Sequence, residues 1–443
     1  MGQQEIIGRK WIFLPVEVKS RELISKLFFA DLATRRGYGV ILGRNGMNIS
    51  RDHFPRGLYF DKSQLPHQLK THKYQVETLG NLLVTLDEEA LIVDETHAEG
   101  RFNQGSIDLS SIIFAWGDEE AAMINKKYET QDKVLVVGSP RVDCWIPEND
   151  YIFAKEIGHI RQRFGNFILI NSNFGAPVLP ENRYTDADRR HFELTTVIRK
   201  NFMMLMTKIA ETFTDRHIVL RPHPGEEQGL WESLRLGLPS NAHIILDGPV
   251  SPWIRASSLL LHHCCTTAVE AWVAQVPSIS YEPDLEGYPN YRPFHGLPSA
   301  LSTRLNTQES VIDAIKNGIA SQTLPRIEQQ KILSDYLEFD ENELSSSKIL
   351  RAIDKLSLAA DDYSIPEFTN WKKVRGWVGR LKYRLGDVFD VNKIPLRYHL
   401  QKNPRMDLAE IEDWVARLTF GDADDENGLQ VHQVDVDTFC LFR

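Results

Sequence analysis

The chain has 443 residues, with 51 Lys and Arg against 61 Asp and Glu for a formal charge of -10; 42% of it is hydrophobic and 25% charged. One domain usually spans about 150 residues, so this length implies two domains and a further segment, and the composition is globular rather than disordered or fibrous. The acidic balance excludes a surface given over to nucleic acid, which demands a broad cationic face.

The opening MGQQEIIGRKWIFLPVEV holds an apolar run too short to cross a bilayer and lacks the charged-then-apolar order of a secretory signal. Later stretches are all broken by charge, Pro or Gly before an apolar twenty-mer forms. The four cysteines, Cys144, Cys264, Cys265 and Cys440, lack CxxC spacing and read as reduced thiols. A cytoplasmic protein is expected, touching the membrane only peripherally.

Short apolar runs at Trp11 to Val18, Tyr38 to Leu42, Gly57 to Phe60, Leu82 to Leu86, Ile112 to Trp116 and Lys133 to Val137 alternate with helix-length segments. That alternation predicts βαβ units around a parallel sheet over residues 1–150. A second series runs through Phe167 to Asn171, His217 to Arg221, His243 to Leu246, Ser258 to His262 and Pro277 to Tyr281, predicting a second Rossmann-like domain over 151–325. Between Asn173 and Phe202 the spacing predicts a long loop and then a helix over His191 to Thr212. From 326 to 443 strand signals fade, and a helical extension is expected.

That extension contains Trp371-Lys372-Lys373-Val374-Arg375-Gly376-Trp377-Val378-Gly379-Arg380-Leu381-Lys382-Tyr383-Arg384, basic and free of acids. Its apolar residues recur three and four apart. Two readings stand: an interfacial helix laying Trp371 and Trp377 into headgroups with Lys372, Lys373, Arg375 and Arg380 on anionic lipid, or a helix packed on the body with a solvated basic face.

Chemistry concentrates at strand ends. The run His217-Ile-Val-Leu-Arg-Pro-His-Pro-Gly-Glu226 stops at Arg221, Pro222, His223 and Pro224, where the prolines stiffen the turn. His223 can offer a ring nitrogen to a phosphate oxygen and Arg221 a fork of donors. Leu259-Leu-Leu-His-His-Cys-Cys-Thr-Thr-Ala-Val-Glu270 reads as a strand feeding a helix start, with Thr266 and Thr267 as caps and His263, Cys264 and Glu270 nearby. Consecutive histidines on a strand point to opposite faces, so no metal site is expected there. The end of the preceding strand, Asn171-Ser172-Asn173, reads as a donor-binding loop. In the first half Asp87, Glu88 and Glu89 follow a strand and supply carboxylates for acid/base or nucleophilic work. Gly138-Ser-Pro-Arg-Val-Asp143 reads as a structural turn, with an ion pair between Arg141 and Asp143.

With the opening Lys-Trp-Ile-Phe-Leu-Pro-Val-Glu-Val, the LDEEAL run, GSPRVD, RPHPGE and HHCCTTAVEAW, the sequence resembles the family of bacterial surface carbohydrate biosynthesis proteins over about residues 8–345. That family is similar to capsule and lipopolysaccharide transferases using CMP-activated ulosonic or nonulosonic acids, of the Kdo or pseudaminic acid type. The resemblance implies a GT-B fold and transfer, with retention, from a CMP-activated sugar donor to a glycan or lipid-linked acceptor, without a cofactor. It implies His223 on the CMP phosphate, the Cys264 to Thr267 turn on that phosphate or the donor carboxylate, and Glu88 or Asp87 in acid/base work. The relatives' acidic motif ends in Gly where this sequence has Ala90. Three other functions share these features: a CDP-polyol phosphotransferase of teichoic-acid type, a nucleotide-sugar 2-epimerase, and a non-catalytic scaffold.

Overall fold

The computed structural model describes residues 4–44, 53–91, 100–174, 185–223, 226, 228–246, 248–285, 296–317, 325–340, 342–369, 404–419 and 428–443. They fall into two compact units, one drawn from Met1–Cys144, Ser334–Arg384 and Asn403–Arg443, the other from Trp145–Leu333.

In the first unit β1 (Glu5–Val16), β2 (Tyr38–Arg44), β3 (Leu58–Asp61), β4 (Leu82–Leu86), β5 (Ile112–Ala115) and β6 (Val134–Val136) run parallel in the order β2-β1-β3-β4-β5-β6. The order reverses direction between β1 and β3, which makes the carboxyl ends of those strands the switch point of the sheet. Residues Trp11 to Val16 are all buried, as expected of a parallel strand covered on both faces. The helix Lys19–Arg35 buries Leu23, Leu27, Phe28 and Phe29.

In the second unit β7 (Ile168–Asn171), β8 (Ile218–Arg221), β9 (Ala242–Ile244), β10 (Leu259–His262), β11 (Ser278–Tyr281) and β12 (Thr303–Leu305) are parallel in the order β9-β8-β7-β10-β11-β12. Counted within the unit this is the Rossmann order 3-2-1-4-5-6, with its switch point between β7 and β10. The core joins Ile168, Ile170, Leu220 and Leu261 to Phe202, Leu205, Met206 and Ile209 of the helix Asp186–Thr212. That helix starts five residues before the expected His191, and β12 is a strand that the sequence pattern did not reveal.

The segment from 326 onward corrects the expected helical extension. It does contain helices at Arg326–Tyr336, Ser345–Asp354 and Leu408–Leu418, but also β13 (Asp361–Ser364), β14 (Gln430–Asp435) and β15 (Thr438–Phe442). β13 lies antiparallel to the start of β1, β15 antiparallel to β2, and β14 on β15, so the chain returns to complete the first sheet. The basic aromatic stretch with Trp371, Lys372, Lys373, Arg375, Trp377 and Arg380 lies outside the described residues. Among the described residues no helix is long and apolar enough to cross a membrane.

The GSPRVD turn is the clasp for this return. Gly138 has φ +78°, and a Cβ there would stand 2.4 Å from the Glu338 carbonyl oxygen and 2.5 Å from Ser345 Oγ. The Glu338 N–H donates to the Trp116 carbonyl at 2.6 Å. Asp143 accepts the N–H groups of Ser345 and Ser346, both at 2.8 Å, satisfying two orphan donors of the helix Ser345–Asp354. Arg141 donates to the Glu88 carbonyl at 3.0 Å, so each member of the expected pair holds another part of the chain.

Gly138→Ala, which forces a side chain into left-handed backbone against Glu338, is expected to cost about 1–3 kcal/mol. Asp143→Ala is expected to cost about 1–2 kcal/mol through the lost cap. Denaturant unfolding checks both; wild-type midpoints in both variants would show that the return is held elsewhere.

Candidate functional site

Three neighbouring strands of the second sheet share one pattern: three buried aliphatic residues, then a polar one at the carboxyl end. They read Ile168-Leu169-Ile170-Asn171, Ile218-Val219-Leu220-Arg221 and Leu259-Leu260-Leu261-His262. The register pairs Asn171 with both Arg221 and His262, so the polar ends form one row across the switch point. Parallel strands in register project paired residues to the same face, about 4.8 Å apart.

The loops beyond that row are tied together. Asn171 Nδ2 donates to Thr267 Oγ1 at 3.1 Å, and the Ser172 N–H donates to the Arg221 carbonyl at 3.1 Å. The His223 N–H donates to Ser172 Oγ at 3.0 Å, while its side chain is exposed. His223, Ser172, Asn171 and Thr267 are thus linked by successive hydrogen bonds and neighbouring residues. Asn173 is half-buried on the same loop, and Pro224 lies outside the described residues. Asn171 Oδ1 is buried and has no partner among the described residues.

Several expected donor-binding side chains have other work. Arg221 is buried, donates to the Gly248 carbonyl at 2.7 Å and stacks on Trp253 at 4.9 Å, so its fork is turned into the protein. His263 is buried 6.0 Å from the Phe174 ring and 5.9 Å from that of Phe202. Cys264 takes φ +44° and is buried with Sγ 3.4 Å from Ser299 Oγ; Glu270 is buried too. Thr266 stands at the cap of the helix Thr267–Val273, but no side-chain cap bond forms there. The turn is built by His262, whose Nδ1 accepts the Cys265 N–H at 3.2 Å and whose Nε2 therefore carries the proton toward Ser302 Oγ at 2.8 Å. Burial pushes its pKa down to about 3. All four cysteines are buried thiols outside any disulfide, and among the described residues no three His, Cys, Asp or Glu are grouped to hold a metal ion.

The carboxyl edge of the first sheet is a lattice of charges. Buried Glu22 accepts the N–H of Glu17 at 2.9 Å, that of Val18 at 3.1 Å and Lys26 Nζ at 2.9 Å. Burial alone would raise Glu22, but Lys26, Lys62 and Arg21 hold it well below the usual carboxylate range. The three sequence-predicted acids differ sharply within this lattice. Asp87 is gripped by two nitrogens of Arg101, and its carbonyl accepts Trp116 Nε1–H at 2.6 Å. Glu89 lies between Arg21 at 3.1 Å and Arg101 at 2.9 Å; burial pushes it up, and those cations bring it down to about 2. Glu88 is buried with Oε1 3.7 Å from Lys26 Nζ, and its Oε2 has no partner among the described residues. Glu120, buried behind them, is raised well above the usual range by burial and by Asp87. Lys26 was discoverable as the i+4 partner of Glu22 in a helix, whereas nothing in the sequence pointed to Arg101.

A second constellation in this unit resembles a nucleophile triad. Ser106 Oγ lies 2.8 Å from His72 Nδ1, and His72 Nε2 lies 2.7 Å from Asp61 Oδ2. All three residues are 0% exposed, so the serine meets no substrate and the trio is a core hydrogen-bond network.

No family model matches the chain, and no curated protein matches it. Solved structures do. The wall teichoic acid polymerase TagF is 11% identical, with 78% of this chain and 90% of that chain covered and a TM-score of 0.51. UDP-GlcNAc 2-epimerase from Methanocaldococcus jannaschii is 13% identical over 78% of this chain and 99% of that one, TM-score 0.48. Anabaena Alr3699/HepE, in complex with UDP and glucose, is 14% identical over 79% and 100%, TM-score 0.44. The likeness to TagF shows the fold, a GT-B type built from two Rossmann-like units.

His262 sets a pH dependence. The unfolded chain takes up a proton on it near pH 6.5, the folded chain only near pH 3, so its contribution is present above 6.5 and is lost as pH falls between those values. Denaturant midpoints measured from pH 7 to 4 are expected to fall less steeply in His262→Gln than in the wild type. Equal slopes would contradict a neutral buried imidazole.

Proposed function

We propose that the chain is a transferase that binds a nucleotide-activated sugar on its second unit and moves the sugar to a hydroxyl acceptor. The observation that carries this reading is the exposed imidazole of His223, anchored by its backbone to Ser172 at the switch point of a Rossmann-order sheet. Ligands of such sheets bind outside the carboxyl ends of the strands at that point. His223 supplies a ring N–H to the phosphate that departs, and the Asn171-Ser172-Asn173 loop and the Thr266 and Thr267 turn supply further polar groups.

On the first unit Glu88 is the acid/base group. Asp87 and Glu89 are committed to arginines, while one buried oxygen of Glu88 lacks a donor among the described residues. As an acceptor hydroxyl oxygen bonds to the anomeric carbon, the bond from that carbon to the phosphate oxygen breaks and the hydroxyl proton passes to the Glu88 carboxylate.

In its finer form the donor is a CMP-activated ulosonic or nonulosonic acid, of Kdo or pseudaminic acid type, and the acceptor a surface polysaccharide or a lipid-linked glycan. What supports the CMP donor is the resemblance carried by RPHPGE and HHCCTTAVEAW. The basic stretch Trp371 to Arg384 supports attachment to the inner face of the cytoplasmic membrane.

Incubation with CMP-Kdo, CMP-pseudaminic acid, CDP-glycerol and UDP-GlcNAc, with and without acceptor glycolipid, is expected to release CMP from one of the first two. His223→Ala is expected to lower that turnover by about a hundredfold to a thousandfold. Glu88→Gln is expected to lower it about a hundredfold or more with nucleotide affinity unchanged. Release of glycerol phosphate units from CDP-glycerol, epimerisation of UDP-GlcNAc, or no reaction with any donor would each replace the CMP-sugar reading.

A further inference from the structure

Glu226 lies three residues beyond His223 and is 3% exposed, yet its carboxylate contacts both loops of the proposed nucleotide edge. Its Oε2 accepts Ser172 Oγ–H at 2.6 Å and Trp231 Nε1–H at 2.9 Å; its Oε1 accepts the Phe174 N–H at 2.6 Å. The same Ser172 hydroxyl oxygen accepts the His223 N–H, and the Glu226 N–H closes a turn onto the His223 carbonyl at 2.9 Å. One buried carboxylate therefore joins the loop after β7, the loop after β8 and Trp231.

We infer that Glu226 is the positioning residue of this site: it touches no reacting atom, and it acts by fixing the loop that presents His223. The inference rests on the nucleotide reading for its purpose and on the hydrogen bonds alone for its geometry. Burial raises the carboxyl, and the donors from Ser172, Phe174, Trp231 and the His223 backbone oppose that rise by favouring the charged form. Arg199 and Cys265 both feel its charge, so the group belongs electrostatically to the edge as well. These donors occupy both oxygens. An amide in place of the carboxylate sets N–H against N–H in either orientation, against Phe174 on one side or Trp231 on the other. Glutamine is therefore a disruptive replacement here, whereas aspartate keeps the acceptors on a shorter arm.

The test is nuclear magnetic resonance on full-length protein carrying labelled histidine, with the His223 signal assigned by its absence in His223→Ala. In Glu226→Gln and in Ser172→Ala the His223 ring is expected to shift and become more mobile, while the interacting pair His217 and His243 in the same unit keeps its signals. Glu226→Asp is expected to restore part of the wild-type position. CMP affinity, measured by calorimetry, is expected to weaken about fivefold to tenfold in Ser172→Ala. If Glu226→Gln does not fold, Ser172→Ala decides alone. An unmoved His223 signal in the folded variants overturns the positioning role. A His223 signal that responds in a protein binding no CMP leaves that role standing and removes the nucleotide reading instead.

Discussion

The second unit depends on a register. Asn171, Arg221 and His262 end their strands in a single row because three runs of aliphatic residues, equal in length, are buried to the same depth. Sliding any one strand by a residue would carry a polar end into the core and turn its aliphatic residues to the opposite faces. Hydrophobic burial thus sets the position of the polar edge, and the loops that leave this edge inherit their positions from it. His223 is exposed, but its backbone is fixed one hydrogen bond away from that row.

The two units carry different electrostatics at corresponding edges. In the first, Glu17, Glu22, Lys26, Lys62, Arg21, Arg101, Asp87 and Glu89 neutralise one another within a crowded lattice. Such a lattice is rigid, because removing any member leaves a charge desolvated without compensation. In the second unit the described edge is joined by hydrogen bonds among Asn171, Ser172, His223 and Thr267 and by the buried carboxylate of Glu226.

Much of this was legible from residue order. The parallel strands announced themselves because runs such as LLLH and IVLR are apolar throughout and stop at a polar residue or a proline. The strands β13 and β14 did not, since Asp361-Asp362-Tyr363-Ser364 and Gln430 to Asp435 are polar segments; β15 is apolar and buried, but its pairing is visible only once the chain has returned to β2. The strand ends were legible: the placement of His223 beyond β8 and of the Asn171 loop beyond β7 follows from the residue order. The inward placement of Arg221 and His263 was not legible, because a polar residue beside a turn can face inward, Arg221 against Trp253 and His263 against Phe174 and Phe202. Glu226 was hidden for the opposite reason, a charged residue beside Gly and Pro reading as solvated turn when it is a buried acceptor for donors from both loops.

The central claim is that a nucleotide phosphate sits on the edge formed by Asn171, Ser172, His223 and Thr267. The most direct measurement is amide hydrogen exchange of the whole protein with and without saturating CMP. Slower exchange is expected in the peptides covering 171–174, 221–226 and 264–268, with the peptides of β13 to β15 unchanged. Binding that leaves those three peptides as they were and protects others would contradict it.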